Sequence, residues 1–240
     1  DDYIVKEAYE KMYSCAIEND ADIVECQTLR DGIIIESQYS GKWDSRKVLY
    51  DYFELGNLPT MLWMRIYKRK LFEKPVFPNA YTNNEDNFAL PCLLYNANKI
   101  YFLKEQLHYY SSDNEHAVME NINRKTVDNS KIIINRTMTL KAISHIRDYI
   151  GKNVIEKEYY NVFKSHISRI VLSFCLYDFE SLPISKRIEI VCTNLNILEN
   201  DLNAYYKNYY RDNEKVKFLI TLIGLRNTVF IYNNAKKFRR

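Results

Sequence analysis

Asp1-Asp2-Tyr3-Ile4-Val5-Lys6-Glu7-Ala8-Tyr9-Glu10-Lys11-Met12-Tyr13, followed a few residues later by Asn19-Asp20-Ala21-Asp22-Ile23-Val24-Glu25-Cys26, decides how the first half of the chain is read. In the first stretch Val5, Ala8, Tyr9, Met12, Tyr13 and, further on, Ala16 recur at helical spacing, which predicts an amphipathic helix over 3–19. Asp1 and Asp2 stand where an N-cap belongs. The second stretch predicts a strand over 21–26, paired as a hairpin with a strand over 32–37 around the turn Arg30-Asp31-Gly32.

Downstream, 43–54 reads as a helix, and Gly56, Asn57 and Pro59 break it before the apolar stretch Met61 to Phe72, which ends at Pro75 and Pro78. Residues 85–97 read as a second helix, capped by Asn84, with Glu85 and Asp86 in its first turn where the helix dipole favours acids and with Pro91 expected to kink it. Residues 100–103 and 107–110 alternate like two edge strands. Beyond about residue 120 the texture changes to four long periodic segments, 124–150, 154–180, 184–208 and 213–237, separated by Gly151, Pro183 and Arg211-Asp212-Asn213. The expectation is therefore an α/β unit over 1–119 followed by an all-helical unit over 120–240. Stripes such as Ile143, Ile146 and Ile150, or Ile167, Ile170, Val171 and Phe174, are read as core positions of that helical unit.

Composition narrows the class. With 27% charged residues but a net charge of only +3, the chain lacks the clustered basic face of a nucleic-acid binder. Five cysteines at 15, 26, 92, 175 and 192 are too widely spaced for a metal knuckle or a disulfide framework, and are read as reduced thiols of a cytoplasmic protein. No apolar run approaches the ~20 residues of a membrane span. The 21 tyrosines are read mainly as compositional bias and packing, with sugar stacking as the functional alternative.

Two acidic pairs stand out, Asp1-Asp2 and Glu85-Asp86, each at the mouth of an expected helix. Capping alone accounts for acids at helix starts. The chemical alternative is that one pair binds a divalent cation while the other carries a general base. Those roles together describe sugar transfer from a nucleotide donor: the cation offsets charge building on the departing diphosphate, and the carboxylate takes the proton of the attacking hydroxyl.

The residues arranged this way resemble family 2 glycosyltransferases. Asp1 to Ile4 with the helix after it and Asn19 to Val24 is similar to the segment that follows the family's DxD motif. Leu62-Trp63-Met64-Arg65-Ile66-Tyr67-Lys68-Arg69-Lys70-Leu71-Phe72 is similar to its tryptophan block, Asn84-Glu85-Asp86-Asn87-Phe88 to its Glu-Asp helix, and Leu107-His108-Tyr109-Tyr110-Ser111 to the tyrosine-rich strand that follows. The resemblance covers 1 to about 119. It implies a GT-A-like, Rossmann-related α/β fold that begins here at the metal motif, a UDP-sugar or other nucleoside diphosphate sugar as donor, Mn²⁺ or Mg²⁺, and inversion by a single displacement. Asp1 and Asp2 would serve the metal, Asp86 would be the catalytic base, and Glu85 would orient it or touch the acceptor. Trp63, Arg65 and Tyr110 would bind substrate, and His116 would reach the phosphates or the metal.

The departures from the pattern are Met64 and Arg65 where the family has Asn-Lys, and Ser111 where it often places an arginine on the diphosphate. The part of the family that holds the nucleotide base and ribose lies before its DxD motif, so this chain is read as the acceptor-side portion of a longer enzyme, inactive alone. The expected acceptor is a glycan, lipid-linked or not, in bacterial surface polysaccharide synthesis. The apolar final helix and Lys236, Lys237, Arg239 and Arg240 offer peripheral contact with the inner face of a membrane, and the helical unit offers a surface for self-association. The alternative is a non-catalytic module that keeps the fold to bind glycan or a partner.

Overall fold

The computed structural model describes residues 2–56, 58–77, 85–111, 129–151, 157–210 and 212–237. They fall into two compact units, residues 1–127 and 128–240.

The first unit is built on two parallel strands, β2 (Ile23–Arg30) and β6 (Lys99–Tyr110). Each is bonded on its outer side by a different short antiparallel partner at each end. Along β6 these are β4 (Gly41–Asp44) near its start and β1 (Tyr3–Ile4) near its finish. Along β2 they are β5 (Arg65–Tyr67) near its start and β3 (Ile33–Ile35) near its finish. The result is a six-stranded mixed sheet. Its centre is apolar on both faces, as a strand covered from both sides must be: Ile23, Val24, Ile100 and Phe102 are all buried.

Helix α1 (Ala8–Glu18) covers one face, where Ala8, Met12 and Cys15 pack on Val24, Cys26 and Leu107. Its start differs from the helix expected over 3–19. Tyr3 and Ile4 pair with Tyr109 and His108 instead, and the Val5 N–H is given to the Leu107 carbonyl at 2.9 Å. Sheet pairing wins over helical periodicity there because the free edge of β6 offers those backbone groups partners.

Helix α2 (Ser45–Leu55) is capped by Asp44, whose carboxylate accepts the Lys47 N–H at 2.9 Å, and ends at Gly56 in the left-handed region. Helix α3 (Glu85–Asn96) contains Pro91 in its interior and is buried nearly all round from Phe88 to Tyr95, so tertiary packing offsets the lost backbone hydrogen bond. The hairpin forms around the expected turn, but residues 28–30 rather than 21–26 pair with β3; Asp31 and Gly32 both take positive φ, 51° and 78°, as a type I′ turn requires. Residues 100–103 and 107–110 are not two edge strands but parts of one central strand. The polar Lys104-Glu105-Gln106 between them falls where the register with β2 shifts, and it reaches outward to Glu36 and Lys11.

At the starts of β2 and β6 the chain is held by Asp22, which is 4% exposed. Its carboxylate accepts the Asn98 and Lys99 N–H groups at 2.9 and 3.3 Å and pairs with Lys68 and Lys70, both at 3.0 Å. That accounts for the acid within Asn19-Asp20-Ala21-Asp22-Ile23-Val24.

Among its described residues the second unit is helical, without strands: α4 (Asn129–Gly151), α5 (Lys157–Ser173) with a π-helical turn Phe174–Asp178, α6 (Ile184–Leu195), α7 (Glu199–Tyr209) and α8 (Glu214–Lys237). The expected stripes face its core, with Ile143, Ile146, Ile150, Ile167 and Val171 all buried. Two expected helices are broken. The segment 184–208 divides at Asn196, which takes the left-handed conformation (φ 51°) and closes α6. The last helix is interrupted at Gly224 (φ 79°), and the Leu225 N–H freed there is taken by Asn203 Oδ1 at 2.9 Å. Arg187, buried, donates to the carbonyls of Cys175, Glu180 and Leu182 at 2.7 to 2.8 Å and so satisfies the turn that ends α5. Among the described residues no helix is long and apolar enough to cross a membrane.

The bonds to Asp22 outweigh the effect of its burial, and its pKa is lowered to about 2. A group whose folded pKa lies below its unfolded value stabilises the fold above the unfolded pKa and loses that contribution as pH falls through the folded one. Asp22→Asn should therefore cost about 2 kcal/mol in urea unfolding at pH 7, with the gap to wild type closing between about pH 5 and pH 2. A gap equally wide at both ends of that range would show that the charge is not what holds this end of the sheet.

Candidate active site

The two parallel strands finish together, and in open α/β sheets that is where ligands bind. Alternation along β6 sends Leu107 into the cluster under α1 and His108 to the opposite face. There the Trp63 indole lies on the His108 ring, centroids 4.1 Å apart at 24°, and extends over Tyr110 at 5.8 Å and 15°. The Arg30 guanidinium covers the same Tyr110 ring, 4.8 Å from its centroid. This is a continuous aromatic platform with a cation at its margin. Trp63 is 39% exposed, so part of its surface is open to a ligand. On the other face Tyr3 stacks on Tyr109, centroids 4.5 Å apart and nearly parallel.

His108 is buried with its Nδ1 lacking a hydrogen-bond partner. Burial pushes its pKa below the ordinary imidazole range against the pull of the Asp2 carboxylate, so it stacks as a neutral ring at pH 7. Asp2 itself is exposed, and its Oδ1 accepts the Ser111 N–H at 3.0 Å, fixing the carboxylate at the exit of β6.

Trp63 sits in a short 3₁₀ turn, Leu62–Met64. The Leu62 N–H at its start is given to Asp86 Oδ1 at 3.2 Å, and the Leu62 carbonyl accepts the Tyr67 hydroxyl at 3.2 Å. Asp86 occupies the first turn of α3, half-buried. Burial raises its pKa and the neighbouring Glu85 raises it further, while the Leu62 N–H and Arg65 act in the opposite direction. The carboxylate is thus a stronger base than an ordinary aspartate. Glu85 is exposed.

Arg65 is placed differently from the substrate-binding cation expected. Its side chain is 0% exposed and is spent within the protein, on a carboxylate of Glu25 and on the carbonyls of Met61 and Pro59, both at 2.6 Å. Burial would lower the guanidinium pKa, but Glu25 and the Tyr67 hydroxyl more than offset it. Arg65 therefore acts on the site from beneath, by clamping the loop that carries Trp63. Met64 is also fully buried and its carbonyl accepts the Cys26 thiol, so a methionine there changes the core rather than a ligand contact.

Structure thus gathers Asp2, Trp63, Tyr110 and Asp86 around one end of the sheet. Asp1 and His116 lie outside the described residues. Sequence reading missed Arg30 and His108. Their available signals were a cation immediately before the hairpin turn and a histidine alternating with core residues. Among the described residues no three or more His, Cys, Asp and Glu side chains converge as a metal cluster. All five cysteines are free thiols and four of them are buried.

Removing Glu25 alone would strand a buried guanidinium. Glu25→Gln should cost about 3–5 kcal/mol in chemical unfolding, whereas Glu25→Gln combined with Arg65→Met should cost less than the two single changes added together. Strict additivity would show that the pair is not coupled.

No protein-family model matches the chain, and no curated protein matches it by sequence. Among solved structures it is similar to residues 1–349 of TarS from S. aureus in complex with UDP-GlcNAc, with a TM-score of 0.63 at 14% identity, covering 99% of this chain. A second structure of TarS 1–349 gives a TM-score of 0.60 at 13% identity over the same share of the chain. The chain spans 66% and 64% of the length of these two structures. At such identity the likeness concerns the fold alone: a mixed α/β sheet followed by a helical region.

Proposed function

We propose that the protein to which this chain belongs is an inverting, nucleotide-sugar-dependent glycosyltransferase, and that these residues form its acceptor and base side. The observation that carries the reading is Asp86: a half-buried carboxylate of raised pKa, hydrogen-bonded to the turn that presents Trp63 beside the sheet's strand ends. The fold likeness to a structure that holds UDP-GlcNAc supports a nucleotide-sugar donor, and UDP is the nucleotide we favour.

In this mechanism the acceptor sugar rests on Trp63 with its nucleophilic hydroxyl at Asp86. As the hydroxyl oxygen bonds to the anomeric carbon, its proton passes to Asp86. The bond from that carbon to the β-phosphate oxygen breaks on the opposite face, with its electron pair leaving on the nucleoside diphosphate. One displacement inverts the carbon. Glu85, exposed beside Asp86, is suited to orient the acceptor. The Asp86 bond to the Leu62 N–H keeps the base aligned with the turn that holds the sugar.

A Mg²⁺ or Mn²⁺ ion in such enzymes neutralises charge on the departing diphosphate. These ions are commonly held by one or two carboxylates, with phosphate and water completing the shell. Asp2, exposed and oriented by Ser111, fits that minimal set, with Asp1 beside it in sequence. The function that follows is sugar transfer to a glycan or lipid-linked hydroxyl in surface polysaccharide synthesis, at the inner face of the cell membrane.

The alternative is a non-catalytic module that keeps the fold to bind glycan or a partner, and Met64 and Ser111 are departures that motivate it. Met64 is a core residue, so its exchange removes no ligand contact, and the backbone N–H of Ser111 holds Asp2. The two readings part in the intact protein. Asp86→Asn should lower transfer by about a hundredfold or more, as loss of a general base does, while metal-dependent UDP binding measured by calorimetry stays at the wild-type level. The acid limb of the wild-type rate profile should lie above the ordinary aspartate pKa, since the base must be deprotonated. Wild-type turnover in Asp86→Asn at saturating donor would remove Asp86 from the mechanism, and absence of UDP binding in the wild type would favour the binding module.

A further inference from the structure

Arg30 ends β2 and sits opposite Tyr110 across the parallel ladder. Tyr3 pairs with Tyr109 on the other side of β6, so continuing that register by one residue brings Asp2 opposite Tyr110 as well. Residues in register across a sheet project to one face. Arg30, Tyr110 and Asp2 therefore form a row of three over neighbouring strands, with the outer two about 10 Å apart by strand spacing. The influence of Asp2 on His108, two residues before Tyr110, agrees with this placement.

The row has a carboxylate at one end, an aromatic ring in the middle and a guanidinium laid on that ring at the other end. Arg30 is only loosely engaged otherwise: its Nε stands 3.7 Å from the exposed carboxylate of Asp31. Asp2, by contrast, is fixed by a backbone N–H. A diphosphate whose metal ion rests on Asp2 would present its remaining anionic oxygens along the row towards the guanidinium. A planar fork of donors matches such oxygens two at a time. Ser111, after the two tyrosines, carries no charge, and Arg30 on the neighbouring strand brings a cation to this end of the sheet.

We propose that Arg30 is a donor-diphosphate ligand, released from the Tyr110 ring to bind the pyrophosphate and to stabilise the charge that grows on it as the sugar leaves. The proposal rests on the glycosyltransferase reading above, and its test separates the two. In the intact protein with Mn²⁺ present, calorimetry compares UDP with UMP for wild type, Arg30→Gln and Arg30→Lys, with thermal melts confirming that each variant is folded. Arg30→Gln should weaken UDP binding about tenfold to a hundredfold, the range expected when a charge-assisted hydrogen bond is lost, and leave UMP binding within about twofold. Arg30→Lys, which keeps the charge without the fork, should fall between and serves as the decisive variant if Arg30→Gln does not fold. Unchanged UDP-to-UMP preference in the folded variants, or equal losses for both nucleotides, would overturn the role of Arg30 while leaving the enzyme reading intact. Failure of wild type to bind UDP at all would instead overturn the reading on which the role depends.

Discussion

A buried ion pair governs the geometry of the first unit. Glu25 and Arg65 meet between β2 and β5, and the same guanidinium bonds the carbonyls of Pro59 and Met61. Their side chains are 0% and 3% exposed, so neither charge is tolerable without the other. The cost of breaking the pair fixes the path of the loop from Pro59 to Trp63. Two parts of the site hang from that loop: the indole above His108 and Tyr110, and the Leu62 N–H that aligns Asp86. The chemistry proposed for the surface is thus anchored by a cation that no substrate touches.

The two ends of the parallel strands divide the work. At their start, the Asp22 carboxylate accepts backbone N–H groups of Asn98 and Lys99 and is neutralised by Lys68 and Lys70, which ties the two strands together. At their finish, polar and aromatic groups stand open: Asp2, Tyr110, Arg30 and Trp63. Acids occur at both ends, and their surroundings separate their roles. The pKa of Asp22 is pulled down by four partners, whereas that of Asp86 is pushed up by burial. One is a strut and the other is suited to carry a proton.

Much of this was legible in the residues. The helical spacing of Ala8, Met12 and Ala16, the Asp31-Gly32 turn and the acids opening α3 each announced an element by a local rule, and each formed, although Tyr9 and Tyr13 of the same stripe stay exposed. What local rules could not show was pairing between distant segments. Tyr3 and, after it, Ile4 fall within the range of the expected helix, but a free edge of β6, a hundred positions away, claims them for the sheet. Lys104 to Gln106 looked like a connection because no sequence pattern reveals that a register shift will absorb them. For the site, Asp86 and Trp63 were visible by type and order. Arg65 was visible too but misplaced in role, since burial of a guanidinium depends on the carboxylate it finds, and Glu25 lies 40 positions upstream. The division of the last helix at Gly224 likewise depends on Asn203, in another helix, to receive the freed N–H.

The row formed by Asp2, Tyr110 and Arg30 draws its three members from the beginning of one strand, the end of a second and the end of a third. Its spacing is therefore a multiple of the distance between hydrogen-bonded strands, which backbone chemistry sets and which no loop can lengthen or shorten. Turns and insertions elsewhere can vary freely without moving these groups apart. Rebuilding the surrounding loops would leave this ruler, and with it the reach of the proposed diphosphate site, unchanged.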